Sequence, residues 1–518
     1  MKRALFSVTD KTNIDVFAKG LLALFPTLEI IASGGTADHL QKAKIPFTPL
    51  SQVTEFPECF GGRVKTLHPK IFGAILYRRG IDDEEAAKLN IQPIDLVVCN
   101  LYREDKIDSI DIGGSSLIRA ACKNCASVAI VVGKEDYAPL LDELRQKKEL
   151  SLETKKALAI KAIRVSAAYE GKIAAGLDGE ERLSLFLERG KKLSYGENPD
   201  QQGWLYSFPE QKGVASSKIL GGKALSYNNY EDASAAFSAL QKISHFPSAA
   251  IIKHGGLCGY ATGKTLVEAF QRAWDGDSKS AFGSVVALSR EAGEELCQEF
   301  SSRYIEVILA PSFHPQFVAW AAKAKPSLRL LEVDYKEASQ KLYRSISGGL
   351  LAQTAKKPTV TAIEKLFFPL SEKVGVATKK KPDPKQSGLY SFAIAALQAV
   401  KSNAIVLVRE YAPNLYQLIG VGGGQPNRID SLQRLALPKA IENLRREIPE
   451  EKIKGAIGEL VLASDGFFPF ADSVKAASDL GIQTFIQPGG SVRDAEVIEE
   501  ADKQGLSMVF TGERYFNH

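Results

Sequence analysis

The chain has 518 residues, 45% of them hydrophobic, and its 66 basic and 61 acidic side chains leave a net charge of +5. That length implies two or more domains with their own cores, and the near-balanced charge argues against a nucleic-acid-binding protein and for an enzyme with local cationic pockets. No apolar run approaches the roughly 20 residues that cross a bilayer, and Met1-Lys2-Arg3 leads only into a short apolar strand, so a cytoplasmic protein is expected, with neither membrane nor nucleic acid as partner.

Ala4 to Val8 reads as a buried strand and Lys11 to Leu24 has helical apolar spacing. Glu29 to Ala32 reads as a second strand, running into Ser33-Gly34-Gly35-Thr36 and a helix over Ala37 to Ala43. A strand, a glycine turn and a helix N-terminus make an anion site, because unpaired N–H groups and the macrodipole point the same way. The turn lacks the lysine of a P-loop and the spacing of a dinucleotide fingerprint, so neither ATP nor NAD is indicated.

The next segment, Gly61-Gly62-Arg63-Val64-Lys65-Thr66-Leu67-His68-Pro69, gathers paired glycines, two cations, a hydroxyl and an imidazole. It reads as a loop that grips phosphate and moves protons: glycines aim backbone N–H groups, Arg63 can hold oxygens bidentately, and a crowded Lys65 suits proton transfer. A solvated basic turn is the plain alternative. Further strands at Ile94 to Asn100 and Ser127 to Val132 complete an α/β alternation with a mostly parallel sheet, whose ligand groups gather beyond the strand C-termini, where Thr9, Asp10, Lys11, Ser33 and Asn100 fall. Cys122 and Cys125 form a CxxC with no second pair to complete a zinc site, and the six His are dispersed, so no metal is expected.

A polar helical connection is expected from Ser151 to about Gly190, ending at the turn-rich boundary Ser194 to Pro199. Beyond it, short β runs at Ala249 to Ile252, Val285 to Leu288 and Ile405 to Val408 mix with helices, and no repeat period is visible. Lys253-His254 follows the first of these runs and puts a cation beside an imidazole at a strand end. The run Lys379-Lys380-Lys381 reads as a solvated loop.

Ser7 to Thr12, Ser33 to Thr36, Gly61 to Pro69, Cys99-Asn100-Leu101-Tyr102, Ile110 to Gly114 and Arg119 to Asn124 together resemble the cyclohydrolase half of the bifunctional AICAR transformylase/IMP cyclohydrolase family. The resemblance continues through Leu225 to Asn229, Lys253-His254, Ser280 to Gly283, Gly422 to Arg428, Ser464 to Asp472, Gln487 to Asp494 and Thr511 to His518, and so spans the chain. It implies a methylglyoxal-synthase-like parallel-sheet domain over 1–190 and a transformylase region over 191–518 containing two cytidine-deaminase-like α/β units. It also implies a homodimer with transformylase sites at the interface, and 10-formyltetrahydrofolate as co-substrate.

For ring closure the resemblance implies catalytic Lys65, Tyr102, Asp111 and Lys123, with substrate held by Thr9, Asp10, Lys11, Ser33, Gly34, Gly35, Thr36, Arg63, Val64, Thr66, Cys99 and Asn100. Read alone, Tyr102 could be rim packing, Lys123 a solvated helix face, and Asp111 the N-cap of a helix starting near Ser115. For formyl transfer it implies Lys253 as oxyanion stabiliser and His254 as proton shuttle. Tyr195, Gly283, Asn403, Arg428, Phe467 and Arg514 would then meet substrate, and Phe282, Ile429, Pro469, Phe470, Asp472 and Ser491 the folate.

The chain departs from the family pattern in three places. Asn100-Leu101-Tyr102 continues as Arg103-Glu104-Asp105-Lys106 and reaches Asp111 quickly, implying a truncated lid. Lys253-His254-Gly255-Gly256-Leu257-Cys258-Gly259 lacks the Asn and Pro that would stiffen the loop behind the histidine, and Ser194 and Asp200 replace an Arg and a His. Altered substrate handling with an intact catalytic pair is expected; the alternatives are an impaired transformylase or one with another formyl donor, and a sensor of purine intermediates. A sensor would need the phosphate anchors but not the proton-transfer groups.

Overall fold

Five short apolar runs, β1 Arg3–Ser7, β2 Glu29–Ala32, β3 Thr48–Pro49, β4 Leu96–Cys99 and β5 Ala129–Val131, pair in parallel in the order β3-β2-β1-β4-β5. These belong to the first of two units, Met1–Phe186 and Leu187–His518, in a computed structural model that describes residues 1–102, 107–178, 183–208, 211–336, 341–355, 366–368 and 374–518. Alternation sends Ala4, Phe6, Leu96 and Val98 to one buried face with Phe17 and Leu144, and Leu5, Ile31, Val97 and Ile130 to the other with Ile71 and Ile118. A parallel sheet needs both faces covered, which is why these strands read as unbroken apolar runs. Winding reverses between β1 and β4, and a crevice opens beyond their C-terminal ends.

The polar connection expected after Ser151 is instead a working part of this unit. The helix Leu152–Asp178 buries Leu158, Ala159, Ala162 and Tyr169, and the Tyr169 hydroxyl accepts the Asp111 backbone N–H at 2.7 Å. Its apolar residues point to more than one side, with Leu158, Ala159 and Ala162 buried and Ile160, Ile163 and Leu177 exposed, so no single apolar stripe marks it in the sequence.

In the second unit, β6 Glu188–Lys192 and β7 Trp204–Ser207 pair antiparallel. A larger sheet follows from β8 Lys218–Gly221, β9 Ser248–Lys253, β10 Gly256–Thr262, β11 Ser284–Leu288, β12 Ile305–Ala310 and β13 Arg329–Glu332. After a separate hairpin, β14 Lys341–Ile346 and β15 Gly349–Thr354, come β16 Gly375–Val376, β17 Ile405–Ala412, β18 Leu415–Gly422, β19 Val461–Ser464, β20 Thr484–Gln487 and β21 Ser507–Phe510. Among the described residues the order is β16-β21-β20-β19-β17-β18-β10-β9-β11-β12-β13-β8.

The two halves of this sheet share one topology. Each has a hairpin (β9–β10, β17–β18) whose first strand runs antiparallel to the first of three parallel strands, and each is closed by an antiparallel edge strand that precedes the rest in sequence. Two α/β units are therefore present, although no repeat shows in the sequence. They join through antiparallel β10 and β18, with Ala261 opposite Gln417. This polarity places the β9–β10 turn, the N-terminal ends of β11 to β13 and the C-terminal ends of β19 to β21 on a single rim.

The helix Leu266–Gly276 packs directly on β10, where a β-carbon on Gly259 would lie 1.9 Å from the Ala273 carbonyl oxygen. Gly259→Ala is expected to lower stability by about 1–3 kcal/mol through overpacking, read as a shift of the denaturant midpoint.

Candidate active sites

At the switch point of the first unit, Asn100 joins the ends of β1 and β4. Its Oδ1 accepts the Thr9 and Asp10 N–H groups at 2.5 and 3.1 Å, and its Nδ2 donates to the Asp10 carbonyl at 3.0 Å. The Asp10 carboxyl is held down to about 2 by the Thr12 hydroxyl and N–H, with Lys134 adding a smaller share. Asn100 and Asp10 therefore shape the crevice floor with groups already engaged.

Ser33 is the N-cap of the helix Gly34–Lys42, so the glycine turn forms the first helical turn and the helix begins earlier than its apolar spacing indicates. Buried Thr36 anchors it, accepting the Val8 N–H at 3.0 Å and donating to the Val8 carbonyl at 3.1 Å. A β-carbon on Gly35 would lie 3.5 Å from Lys11 Nζ, and one on Gly34 3.0 Å from Lys65 Nζ. Two ammonium groups thus reach the same helix N-terminus, which suits an anion of more than one charge. Lys65 also pairs with Glu58 at 3.5 Å.

Thr66 is buried against the helix Ile112–Lys123; a β-carbon on Gly113 would fall 2.5 Å from its Oγ1. Asp111 is the N-cap of that helix, accepting the Gly114 N–H at 2.7 Å, and also takes the Tyr102 N–H. Burial raises its carboxyl above the ordinary value, against the opposing pull of these two bonds. The Tyr102 ring remains exposed beside it. Arg63 stands 72% exposed with Asp108 at 3.4 Å, a solvated pair of little energetic weight, and Val64 bridges back to Cys59. His68 Nδ1 accepts the Lys70 N–H at 3.2 Å, so its imidazole caps the helix Pro69–Leu76. Cys99 is buried with its Sγ 3.8 Å from the Gly114 carbonyl, and burial pushes its thiol well up, so it serves packing.

Lys123 does not join this group. It ends the helix that Asp111 begins, about 18 Å away at 1.5 Å per residue, and lies instead in a cleft of 780 Å³ with Phe72, Ala120, Ile160 and the free Cys122 and Cys125. The resemblance gave Lys123 a role beside Asp111, and within one chain the length of the helix keeps the two apart. Arg103 to Lys106, where a truncated lid is expected, lie outside the described residues.

On the rim of the second unit, Lys253 and His254 sit at the β9–β10 turn. Lys253 Nζ donates to the Phe282 carbonyl and lies 3.6 Å from where a β-carbon on Gly283 would be; exposed Phe282 stacks near Tyr304. His254 is exposed rather than sealed in the core. The departure at Gly255 and Gly256 does not leave the turn unsupported: Asp232 accepts the His254 N–H at 3.2 Å and the Gly255 N–H at 2.6 Å. A β-carbon on Gly255 would lie 4.0 Å from Lys401 Cε, which brings the neighbouring Asn403 segment to the same rim. Tyr195 lies in the 194–201 turn, which Asn228 ties to the helix Tyr227–Gln241 by donating to the Glu197 carbonyl at 3.1 Å.

Asn403 and Arg428 are already bound to each other. Arg428 Nη2 donates to Asn403 Oδ1 at 2.9 Å and to wholly buried Asp465 at 2.8 Å, while Asn403 Nδ2 donates to the Gln425 and Pro426 carbonyls. Arg428 Nη1 donates to the Phe467 carbonyl at 3.2 Å, and Ser402 Oγ completes the network on Asp465 at 2.5 Å. Arg428 is thus one wall of a 440 Å³ cleft rather than a loose phosphate ligand; Phe467, Pro488, Gly490, Arg514 and Phe516 line the rest. In the Phe467 to Phe470 run, Phe468 is core while Phe467 and Phe470 are exposed, the latter under Arg493. Asp472 is exposed on the first turn of the helix Ala471–Asp479, Ile429 packs on the core, and the Ser491 hydroxyl accepts the Arg493 N–H.

A family model described as the AICARFT/IMPCHase bienzyme matches residues 121–439, and an MGS-like domain model matches residues 13–126. The chain belongs to the AICARFT/IMPCHase bienzyme family. The Bifunctional purine biosynthesis proteins PurH of Bacillus subtilis and Lactobacillus acidophilus are 39% and 40% identical to it, and each alignment covers 100% of both chains. A solved chain, ForH, is 32% identical over 35% of this bienzyme and 100% of its own length, with a TM-score of 0.33.

Asp232 of the bienzyme carried no signal in the sequence, since it acts on backbone; Asn228 and Asp465 fall in segments that carry the resemblance but were given no role there. In the first unit, Gly34 has φ +49, a region an alanine enters at a cost of about 1–2 kcal/mol, and its substituent would meet Lys65. Gly34→Ala is expected to weaken binding of a ribonucleoside 5′-monophosphate at least 10-fold by calorimetry on the whole chain.

Proposed function

We propose that the first unit closes the purine ring of formyl-AICAR to give IMP, and that the second-unit rim transfers the formyl group from 10-formyltetrahydrofolate to AICAR. The observation that supports this division most is that Lys65 reaches the N-terminus of the helix Gly34–Lys42 beside Lys11 while its neighbour Thr66 packs on the Asp111-capped helix Ile112–Lys123, whereas Lys253 and His254 stand on a rim of another unit.

In ring closure the carboxamide nitrogen attacks the formyl carbon of the same molecule, and water leaves. Nucleophile and electrophile are already joined, so holding the ribose phosphate supplies much of the rate. Lys11, Ser33 to Thr36, Arg63 and Thr66 anchor it, and Lys65, Tyr102 and Asp111 handle the protons. Lys123 drops out of this set within one chain.

In formyl transfer the AICAR amine attacks the formyl carbon and a C–N bond forms. Lys253 stabilises the tetrahedral oxyanion, His254 takes the amine proton, and collapse breaks the bond to folate N10, which receives the proton from His254. Gly283, Tyr195, Phe467 and Arg514 meet the nucleotide, with Arg428 and Asn403 bracing that wall. Phe282, Ile429, Pro469 and Phe470 meet the flat folate, with Asp472 and Ser491 on its polar atoms. The enzyme works in the cytoplasm as a homodimer with transformylase sites at the interface. Exposed Phe282 and Phe470 on the rim support an enclosing partner surface.

Purified protein is expected to form IMP both from AICAR with 10-formyltetrahydrofolate and from formyl-AICAR; IMP from formyl-AICAR alone would leave only the cyclohydrolase. Lys65→Ala is expected to lower ring closure at least 100-fold while sparing formyl transfer, and His254→Ala the reverse, with loss of both activities in either variant contradicting separate sites. Because burial raises the Asp111 carboxyl, ring closure is expected to fall with acid already above the ordinary aspartate range, and Asp111→Asn to remove that limb from the pH profile.

A further inference from the structure

The β9–β10 hairpin turns through two residues that both have positive φ, His254 at 52° and Gly255 at 69°. Such a pair is what a tight I′ turn demands, and Asn-Gly is its usual sequence. Glycine enters this region freely, whereas histidine does so at a cost and stays only when its surroundings hold it. The chain's own loop provides no such restraint, since Gly255 and Gly256 are the two most flexible residues available.

The restraint comes from a helix. The two carboxylate oxygens of Asp232 each take one N–H of the turn, His254 on Oδ2 and Gly255 on Oδ1. Asp232 is itself held: its helix Tyr227–Gln241 begins with reciprocal Ser226 and Asn229 bonds of 3.2 Å each, and Asn229 Nδ2 donates to Glu306 at 2.9 Å. One helical turn earlier, Asn228 grips the 194–201 turn from the same face. Two segments of the rim are therefore fixed to a single rigid element, and the direction in which the His254 side chain leaves the backbone is set by one carboxylate.

We infer that Asp232 is the positioning residue of formyl transfer, holding His254 in the left-handed turn that aims its imidazole along the rim. The inference rests on the reading of His254 as proton shuttle, and the two are separable by experiment. Misplacement of a reacting group by about 1 Å costs on the order of 100-fold in rate. Asp232→Ala is expected to lower the kcat of formyl transfer by that order with KM for AICAR and folate within about threefold, and those retained KM values together with an unchanged thermal melt report that the second unit is folded. Asp232→Asn, which keeps one acceptor and the shape, is expected to recover part of the loss.

In a His254→Ala background, Asp232→Ala is expected to cost nothing further, because a positioning residue has nothing left to position. Should Asp232→Ala leave kcat within twofold while His254→Ala abolishes formyl transfer, the positioning role is wrong and the shuttle stands. A further loss of the same size in the double variant would likewise overturn it. Formyl transfer surviving His254→Ala would remove the shuttle itself, and with it the inference. If Asp232→Ala fails to fold, the same comparison with Asp232→Asn decides, together with exchange rates of the His254 and Gly255 amides, expected to rise when an acceptor is lost.

Discussion

The antiparallel seam between β10 and β18 is the constraint on which the larger unit depends. In each half alone, functional groups would collect at the C-terminal ends of its parallel strands, since that is where a doubly wound sheet leaves its crevice. Joining two like halves head to tail through their hairpins turns one half over. The C-terminal edge of β19 to β21 then shares a rim with the N-terminal edge of β11 to β13, and the β9–β10 turn of one half shares that rim with the arginine-walled cleft of the other. Neither half could build such a rim from its own strand ends.

Charge is handled differently on the two units. The crevice of the first unit relies on a helix terminus with two ammonium groups over glycines, where absent side chains let cations and backbone share a small space. The rim of the second unit relies on buried Asp465, which fixes Arg428 and Asn403. A buried carboxylate left without its arginine would be an uncompensated charge, so the pair keeps the wall rigid more than it stabilises the fold.

The parallel strands of the first unit were legible because both faces are covered, which leaves unbroken apolar runs that announce themselves. Lys11 and the glycine turn Ser33 to Thr36 stood out because phosphate recognition needs particular residue types at a strand or helix end, and the structure brings Lys11 and Lys65 to that one helix N-terminus. Lys123 shows the limit of the resemblance within one chain: twelve residues of helix separate it from Asp111. The helix Leu152–Asp178 was expected only as a connection, because no single apolar stripe marks it as a packing element, and the kinship of the two halves came from the resemblance alone, because topology, not sequence period, carries it. Asp232 left no trace and Asp465 stood in a resembling segment without a role, since a carboxylate that binds backbone or a neighbouring arginine looks in sequence like any solvated acid.

The seam has a consequence for how the chain matures. Ala261 and Gln417 meet across 156 positions, so the first half emerges from the ribosome with β10 as a bare edge and must wait for β18. Pairing over such separations is slow, and an unpaired strand can recruit a neighbour's in the interval. Nascent chains of this protein are accordingly at greatest risk of mispairing in the window between synthesis of its two hairpins, and a chaperone that shields an open β-edge would act there.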